Sequence, residues 1–222
     1  MPTELHLALQ QHYAGTDGET EVPVRGYRAD VLREGIIYEV QLRSFGKIRR
    51  KLEQLTRQRR VVLVYPVPLR KFVVCVDADG QELRARRSPK RGAMTEVFDE
   101  VLRVADLLAR KRLELEVVLT VERELRRDDG AGSWRRRGVS LVGRELVEVV
   151  EARRFSQVSD FLELLPEGLP AQFTVRDLAE CGKLRRVLAG RMAYALRKMG
   201  VVEVVGKRGN ALVYEAVDRG LA

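Results

Sequence analysis

Two acids within one short stretch, YRADVLREGIIYEVQLRS at residues 27–44, are the side chains best placed to do chemistry. Glu34-Gly35 is a hairpin signal between two runs rich in β-formers. With those residues in the turn, Arg33 faces Ile36 and Asp30 lies directly opposite Glu39. The two-residue period of a strand then puts Arg28, Asp30, Glu39, Gln41 and Arg43 on one face, and Tyr38, Val40 and Leu42 on the other. Opposed Cβ atoms stand roughly 5 Å apart, so like charges there destabilise a sheet unless something cationic joins them. Either Arg28 and Arg43 neutralise the acids as a solvated ladder of ion pairs, or a divalent cation does. Carboxylate oxygens with retained water are the usual environment of Mg²⁺, and Mn²⁺ is the alternative ion.

The flanking pattern says what must hold these acids in place. Thr3 is placed to cap a helix that carries Leu5, Leu7, Ala8 and Leu9 and ends at Gly15. EVPVRGYRADVLR and IIYEVQLR read as strands, FGKIRRKLEQLTRQRR as a helix, and VVLVYPV as a buried strand. The hairpin signal Asp79-Gly80 follows, then a predicted amphipathic helix over TEVFDEVLRVADLLARKR and a strand over LELEVVLTVERELRR. From about Arg144 the pattern predicts mostly helix, until two β-rich runs meet at GKRGN. LPEGLP marks a hinge, and the division is set upstream of it, giving domains of residues 1–145 and 146–222.

Asp30 followed by Glu39-Val40-Gln41, within a helix-strand-strand-helix-strand order, resembles the PD-(D/E)xK nuclease superfamily over about residues 1–70. That resemblance implies an α/β (α+β) fold with a restriction-endonuclease-like αβββαβ core. It also implies metal-assisted phosphodiester hydrolysis, with Asp30 and Glu39 holding Mg²⁺ or Mn²⁺ on the scissile phosphate. Gln41 stands where the family usually has Lys; a neutral amide can hydrogen-bond the attacking water but cannot lower its pKa by charge. Lys47 and Lys51, on the next helix, are candidates for a migrated ammonium, and Lys51 joins the catalytic set. The family tends to place a metal-assisting acid on its first helix, where Glu4 is the candidate and Glu19 and Glu21 come next. The helix dipole alone also explains Glu4. His6 and His12 are two further bases, although a helical His more often packs or faces solvent.

FTVRDLAECGKLRRVLAGRMAYALRKMGVVEVVGKRGNALVYEAV resembles a winged helix-turn-helix. In its second helix Leu188, Met192, Ala195, Leu196 and Met199 form the apolar stripe. Arg186, Tyr194 and Arg197 point away, Arg191 and Lys198 flank them, and Lys207 and Arg208 sit at the wing tip. The resemblance implies contacts to DNA grooves and phosphates, or alternatively packing on a protein surface. Between the modules, RARRSPKRGA and SWRRRG are basic; Trp134 either stacks on a base or anchors the middle of the chain.

The balance of 41 Lys and Arg against 32 Asp and Glu, a net +9, favours an acidic partner. Charge alone does not separate DNA from RNA. Cys75 and Cys181 are far apart, without CxxC spacing or nearby His, so neither a disulfide framework nor a zinc site is suggested, and a reducing cytoplasm fits. No run approaches the roughly 20 apolar residues of a membrane span. The expected function is a metal-dependent DNA nuclease, with an inactive nuclease-fold DNA-binding or regulatory protein as the alternative. Cutting both strands of a duplex would favour a homodimer.

Overall fold

The computed structural model describes residues 3–217 other than 111, 133 and 135–137. The first helix, α1 (Glu4–Ala14), begins where the Thr3 hydroxyl accepts the His6 N–H at 3.3 Å and ends at Gly15, whose φ is 59°. A meander of β1 (Glu19–Val24), β2 (Tyr27–Arg33) and β3 (Ile36–Val40) follows. Glu34 and Gly35 both take positive φ, as a two-residue hairpin turn of matching twist requires. The register is therefore Arg33↔Ile36, Leu32↔Ile37 and Val31↔Tyr38, the one the sequence predicts.

Helix α2 (Phe45–Leu55) carries the chain across to β4 (Val61–Val76), which runs parallel to β3. β4 has 16 residues, and its outer half pairs with β5 (Glu82–Arg87) on the edge that its inner half gives to β3. β6 (Leu113–Asp128) lies parallel to β4, and β7 (Val139–Phe155) returns antiparallel to β6. The result is a mixed sheet of order β1-β2-β3-β4-β6-β7, with β5 beside β4. Helix α1 covers one face, packing Leu5, Leu9 and Tyr13 on Val31, Val40, Val62, Val64 and Val118. The other face buries Ile37, Leu63, Leu115 and Val117 against Phe45, Leu52, Leu55 and Phe98.

After a 3₁₀ segment (Val158–Leu164) come β8 (Gln172–Phe173), α5 (Val175–Cys181), α6 (Arg186–Met199), β9 (Val202–Arg208) and β10 (Ala211–Ala216). These last strands form a second sheet of order β8-β10-β9. The predicted stripe of α6, Leu188, Met192, Ala195, Leu196 and Met199, is buried and joins the hydrophobic core beneath the large sheet. The protein is thus a mixed α/β structure, and no described helix is long and apolar enough to cross a membrane.

A turn at Arg25-Gly26 divides the predicted strand EVPVRGYRADVLR into β1 and β2, and β3 ends at Val40, short of the predicted Arg43. Beyond these, the chain departs from the sequence pattern in two larger places. Where helix is expected from about Arg144, it forms β7, and residue 145 lies inside that strand. The second departure is at 94–112, where the expected helix is broken into a 3₁₀ turn (Met94–Val97) and two short helices, α3 (Phe98–Val101) and α4 (Ala105–Leu108). Val104 leaves the helical region at φ −128°, and Arg49 of α2 takes the Arg103 carbonyl at 2.9 Å. Val97, Phe98, Val101, Val104 and Ala105 are all fully buried, so core packing sets the path rather than a continuous helical ladder.

Candidate functional site

The β2–β3 ladder stops at Val31↔Tyr38, and side chains stitch the next step. Asp30 Oδ2 accepts the Val40 N–H at 2.8 Å, and the Asp30 N–H donates to Glu39 Oε1 at 3.3 Å. The two acids are thus brought together across the seam, Asp30 only 9% and Glu39 only 2% exposed. A helix from each side then reaches them. His6, on α1 next to the core residue Leu5, donates Nε2–H to Asp30 Oδ2 at 3.2 Å. Lys51, on α2 next to the core residue Leu52, forms an ion pair with Glu39 Oε2.

Burial, and then the charge of Asp30, push the Glu39 carboxyl up to about 7 against the opposing pull of Lys51. The hydrogen bond to Asp30 raises the His6 imidazole above its ordinary value, while burial works the other way. The other ring nitrogen of His6, Nδ1, is buried with no hydrogen-bond partner among the described residues. Of the two histidines, His6 is therefore the one at the acids; His12 is exposed and lies edge-on to the Tyr13 ring.

The other predicted site residues are placed as follows. The Gln41 backbone continues the sheet, its N–H on the Val64 carbonyl at 2.9 Å, while its side-chain amide donates to the Arg43 carbonyl. Lys47 is exposed in the first turn of α2. Glu4 is exposed in the first turn of α1, its Oε2 3.3 Å from the point a Cβ on Gly143 of β7 would occupy. Glu21 accepts from Gln10 Nε2 at 2.8 Å and stands 3.8 Å from Arg28 Nε, and Glu19 is exposed on β1. Among the described residues no group of three or more His, Cys, Asp or Glu side chains is arranged to hold a metal ion. The candidate donors are the two carboxylates of Asp30 and Glu39, which leaves the rest of a coordination shell to water and substrate oxygen.

On α6 the basic flanks turn towards the acids of α3 and α4. Arg191 donates to Asp99 at 2.6 Å, and Lys198 stands 3.3 Å from Asp106. Asp106 also takes both guanidinium nitrogens of Arg49, at 2.8 and 2.6 Å, which holds its carboxyl well below the usual carboxylate range. Arg208 on the hairpin stands 3.6 Å from Asp177 of α5, and Arg197 lies over the Tyr194 ring at 5.9 Å. Arg186, Tyr194, Lys207 and Trp134 are exposed.

Sequence reasoning missed a row of buried acids on β6. Glu114 pairs with Arg60, Glu116 with Arg154 and Tyr13, and Glu124 with Lys71 and Arg126. Alternation in LELEVVLTVERELRR was the available signal, since from Glu114 on every second residue of that stretch is Glu or Thr apart from Val118 and Arg126.

The family model described as "Domain of unknown function (DUF8091)" matches residues 3–156, the span from α1 through β7. An uncharacterized protein of Treponema pallidum (strain Nichols) is 32% identical over 216 residues, covering 96% of this chain and 84% of its own length. No solved structure matches.

Proposed function

The chain belongs to the DUF8091 family, and for it we propose the function of a metal-dependent DNA nuclease that hydrolyses phosphodiester bonds. One observation carries the reading: Asp30 and Glu39, two buried acids, face each other across a strand seam with Lys51 delivered from the next helix. The order α1-β1-β2-β3-α2-β4, with β3 and β4 parallel, supports a restriction-endonuclease-like core around them. The order β8-α5-α6-β9-β10, with the α6 stripe buried, supports a winged helix-turn-helix after it.

The donor set suits Mg²⁺ or Mn²⁺. Two hard carboxylates are buried side by side, and the formal cations beside them are one ammonium and, when protonated, one imidazole. When bound, the ion polarises the phosphate and lowers the pKa of coordinated water. The chain's own groups fix the acids: the Val40 amide orients Asp30, and Lys51 holds Glu39. Lys51 takes the place the resemblance gives to the missing lysine, and Gln41 remains a neutral hydrogen-bonding group at the end of β3. His6 fixes the Asp30 carboxylate from the opposite side to Lys51.

The second reading, an inactive nuclease-fold DNA-binding or regulatory protein, is favoured by the Gln41 amide being tied to the Arg43 carbonyl. Supercoiled and single-stranded DNA, incubated with Mg²⁺ or Mn²⁺, separate the two. Cleavage by wild type that is lost in Asp30→Asn and in Glu39→Gln supports the nuclease. Salt-dependent DNA binding without cleavage in any of them supports the second reading.

A further inference from the structure

Beyond the irregularity between Pro68 and Arg70, the outer halves of β4, β6 and β7 continue together with β5 as a four-stranded arm. Its strand registers place residues in rows. Arg84, Cys75, Arg126 and Leu141 lie side by side, and Arg86, Val73, Glu124 and Arg144 form the next row. Both rows are on the face that α1 covers further along the sheet, since Glu124 and Arg126 share their side of β6 with Val118 and Glu116. Residues 84–87 of the basic segment at 84–93 lie in strand β5, which presents Arg84 and Arg86 to solvent.

The charge on this face is unbalanced. Glu124 alone serves Lys71 at 2.8 Å, Arg126 at 2.5 Å and Arg144 at 3.8 Å. Arg84 and Arg86 make no ion pair among the described residues. Acids are present as well, with Glu4 at the root beside Gly143, Asp128 towards the tip and Glu122 buried on the same side of β6 as Glu124, near the charges of Arg144 and Lys71. Arg84, Arg86 and Arg126 line one cavity on the arm. Arg144 lines a second one with Thr3 and Arg43, at the N-terminus of α1 and the exit of β3. The cations therefore form a continuous line, which reaches the first turns of the helix whose His6 touches Asp30. At about 3.3 Å per residue the outer half of β4 extends roughly 20 Å. That is enough to follow several phosphates, spaced about 3.4 Å per strand along a duplex axis.

We infer that this face of the arm is the track on which the phosphate backbone of the DNA substrate lies, leading it to Asp30 and Glu39. The inference rests on the nuclease reading for its destination, but its own residues lie outside the acid site. It differs from recognition by α6, where Arg191 and Lys198 are already paired with Asp99 and Asp106. Charge complementarity selects the occupant: a regular polyanion matches a line of arginines on a rigid sheet.

The test is the salt dependence of binding to a short labelled duplex, measured by fluorescence anisotropy in Ca²⁺ with the full chain. Arg84→Gln/Arg86→Gln removes two exposed guanidinium groups and should leave the melting temperature unchanged. Each phosphate contact contributes about 0.9 to the slope of log affinity against log salt, so the double variant should lower that slope by about 2. It should also raise KM for cleavage of the same duplex. An unchanged slope, with Arg186→Gln/Lys207→Gln lowering it instead, would overturn the track and leave the nuclease reading standing. Salt-dependent binding lost in the arm variant, in a wild type that cleaves nothing, would keep the track and remove the nuclease. A wild type with no salt-dependent affinity for DNA would overturn both.

Discussion

Carboxylates are buried in two regions of the large sheet, and the two regions treat them differently. On β6, Glu114, Glu116 and Glu124 are 4%, 7% and 5% exposed, and each is met by at least one guanidinium or ammonium group. Glu122, 1% exposed, is held instead by the Thr120 hydroxyl at 2.7 Å, and burial raises its carboxyl above the ordinary value. Tyr13 adds a hydroxyl to Glu116, whose partner Arg154 also lies over the Tyr38 ring at 5.4 Å. At the β2–β3 seam, Asp30 and Glu39 are as deeply buried but face each other, sharing Lys51 and an imidazole. A buried acid with its own cation is architecture; removing one partner of such a pair costs about 3–5 kcal/mol. A buried acid whose neighbour is another acid carries an electrostatic cost that a fold alone gives no reason to keep, and such groups concentrate at functional sites. The difference teaches that burial does not mark the site. Two buried acids set against each other do.

The comparison breaks first at the level of activity. Asp30→Asn and Glu39→Gln should each lower metal-dependent DNA cleavage by at least about 1,000-fold, because each removes one of only two acids available to the ion. Glu116→Gln should leave single-turnover cleavage within a few-fold of wild type. Were Glu116→Gln to abolish cleavage in a folded protein, the division between architectural and functional acids would fail.

Stability should show the opposite order. Glu116→Gln leaves Arg154 and the Tyr13 hydroxyl facing a neutral amide in a buried setting, and should cost about 3 kcal/mol by urea denaturation. At the seam, a carboxyl pushed up to about 7 binds its proton more tightly folded than unfolded. Its contribution is full below the ordinary Glu value of 4.5 and is lost as pH rises to about 7. The metal-free wild type should therefore lose up to about 3 kcal/mol across that window, at about 1.4 kcal/mol per pKa unit. Glu39→Gln should lack that loss, and at pH 8 should be no less stable than wild type. A Glu39→Gln variant markedly less stable at pH 8 would mean that Lys51 already matches the acid, and the contrast with β6 would disappear.

The seam was legible because its determinants are local. Glu34-Gly35 fixes the turn, the turn fixes the register, and the register opposes Asp30 to Glu39. Lys51 came into view with Lys47 only through the family resemblance, and its contact with Glu39 depends on how α2 packs on the sheet. His6 was in view as a base but had no signal tying it to Asp30, since that contact depends on how α1 lies across the sheet. β7 was read as helix for a physical reason. Its register shifts opposite Leu119/Thr120, Val121/Glu122 and Leu125/Arg126 leave Val150, Val147 and Val142 without partners in the ladder. Each insertion resets the two-residue alternation, and the apolar positions then recur at spacings that mimic a helix. The cations of β6's acids come from α2's exit, β4 and β7, at sequence distances no local pattern reports.

The smallest effect expected lies at the junction of α6 with the core, where Asp106 is shared by Arg49 and Lys198. Its side chain is 30% exposed, so solvent screens the cluster and its worth is about 1 kcal/mol despite the favourable geometry. The folded carboxyl is held below its ordinary value of 3.8, chiefly by Arg49, so this stability is present above that value and is lost as pH falls below it. Asp106→Asn should cost about 1 kcal/mol at pH 7, a cost that shrinks as pH falls below 3.8, and molar salt should erase most of the difference. Urea denaturation of the two proteins across pH measures it. A cost as large as that of Glu116→Gln would place Asp106 with the buried architectural acids.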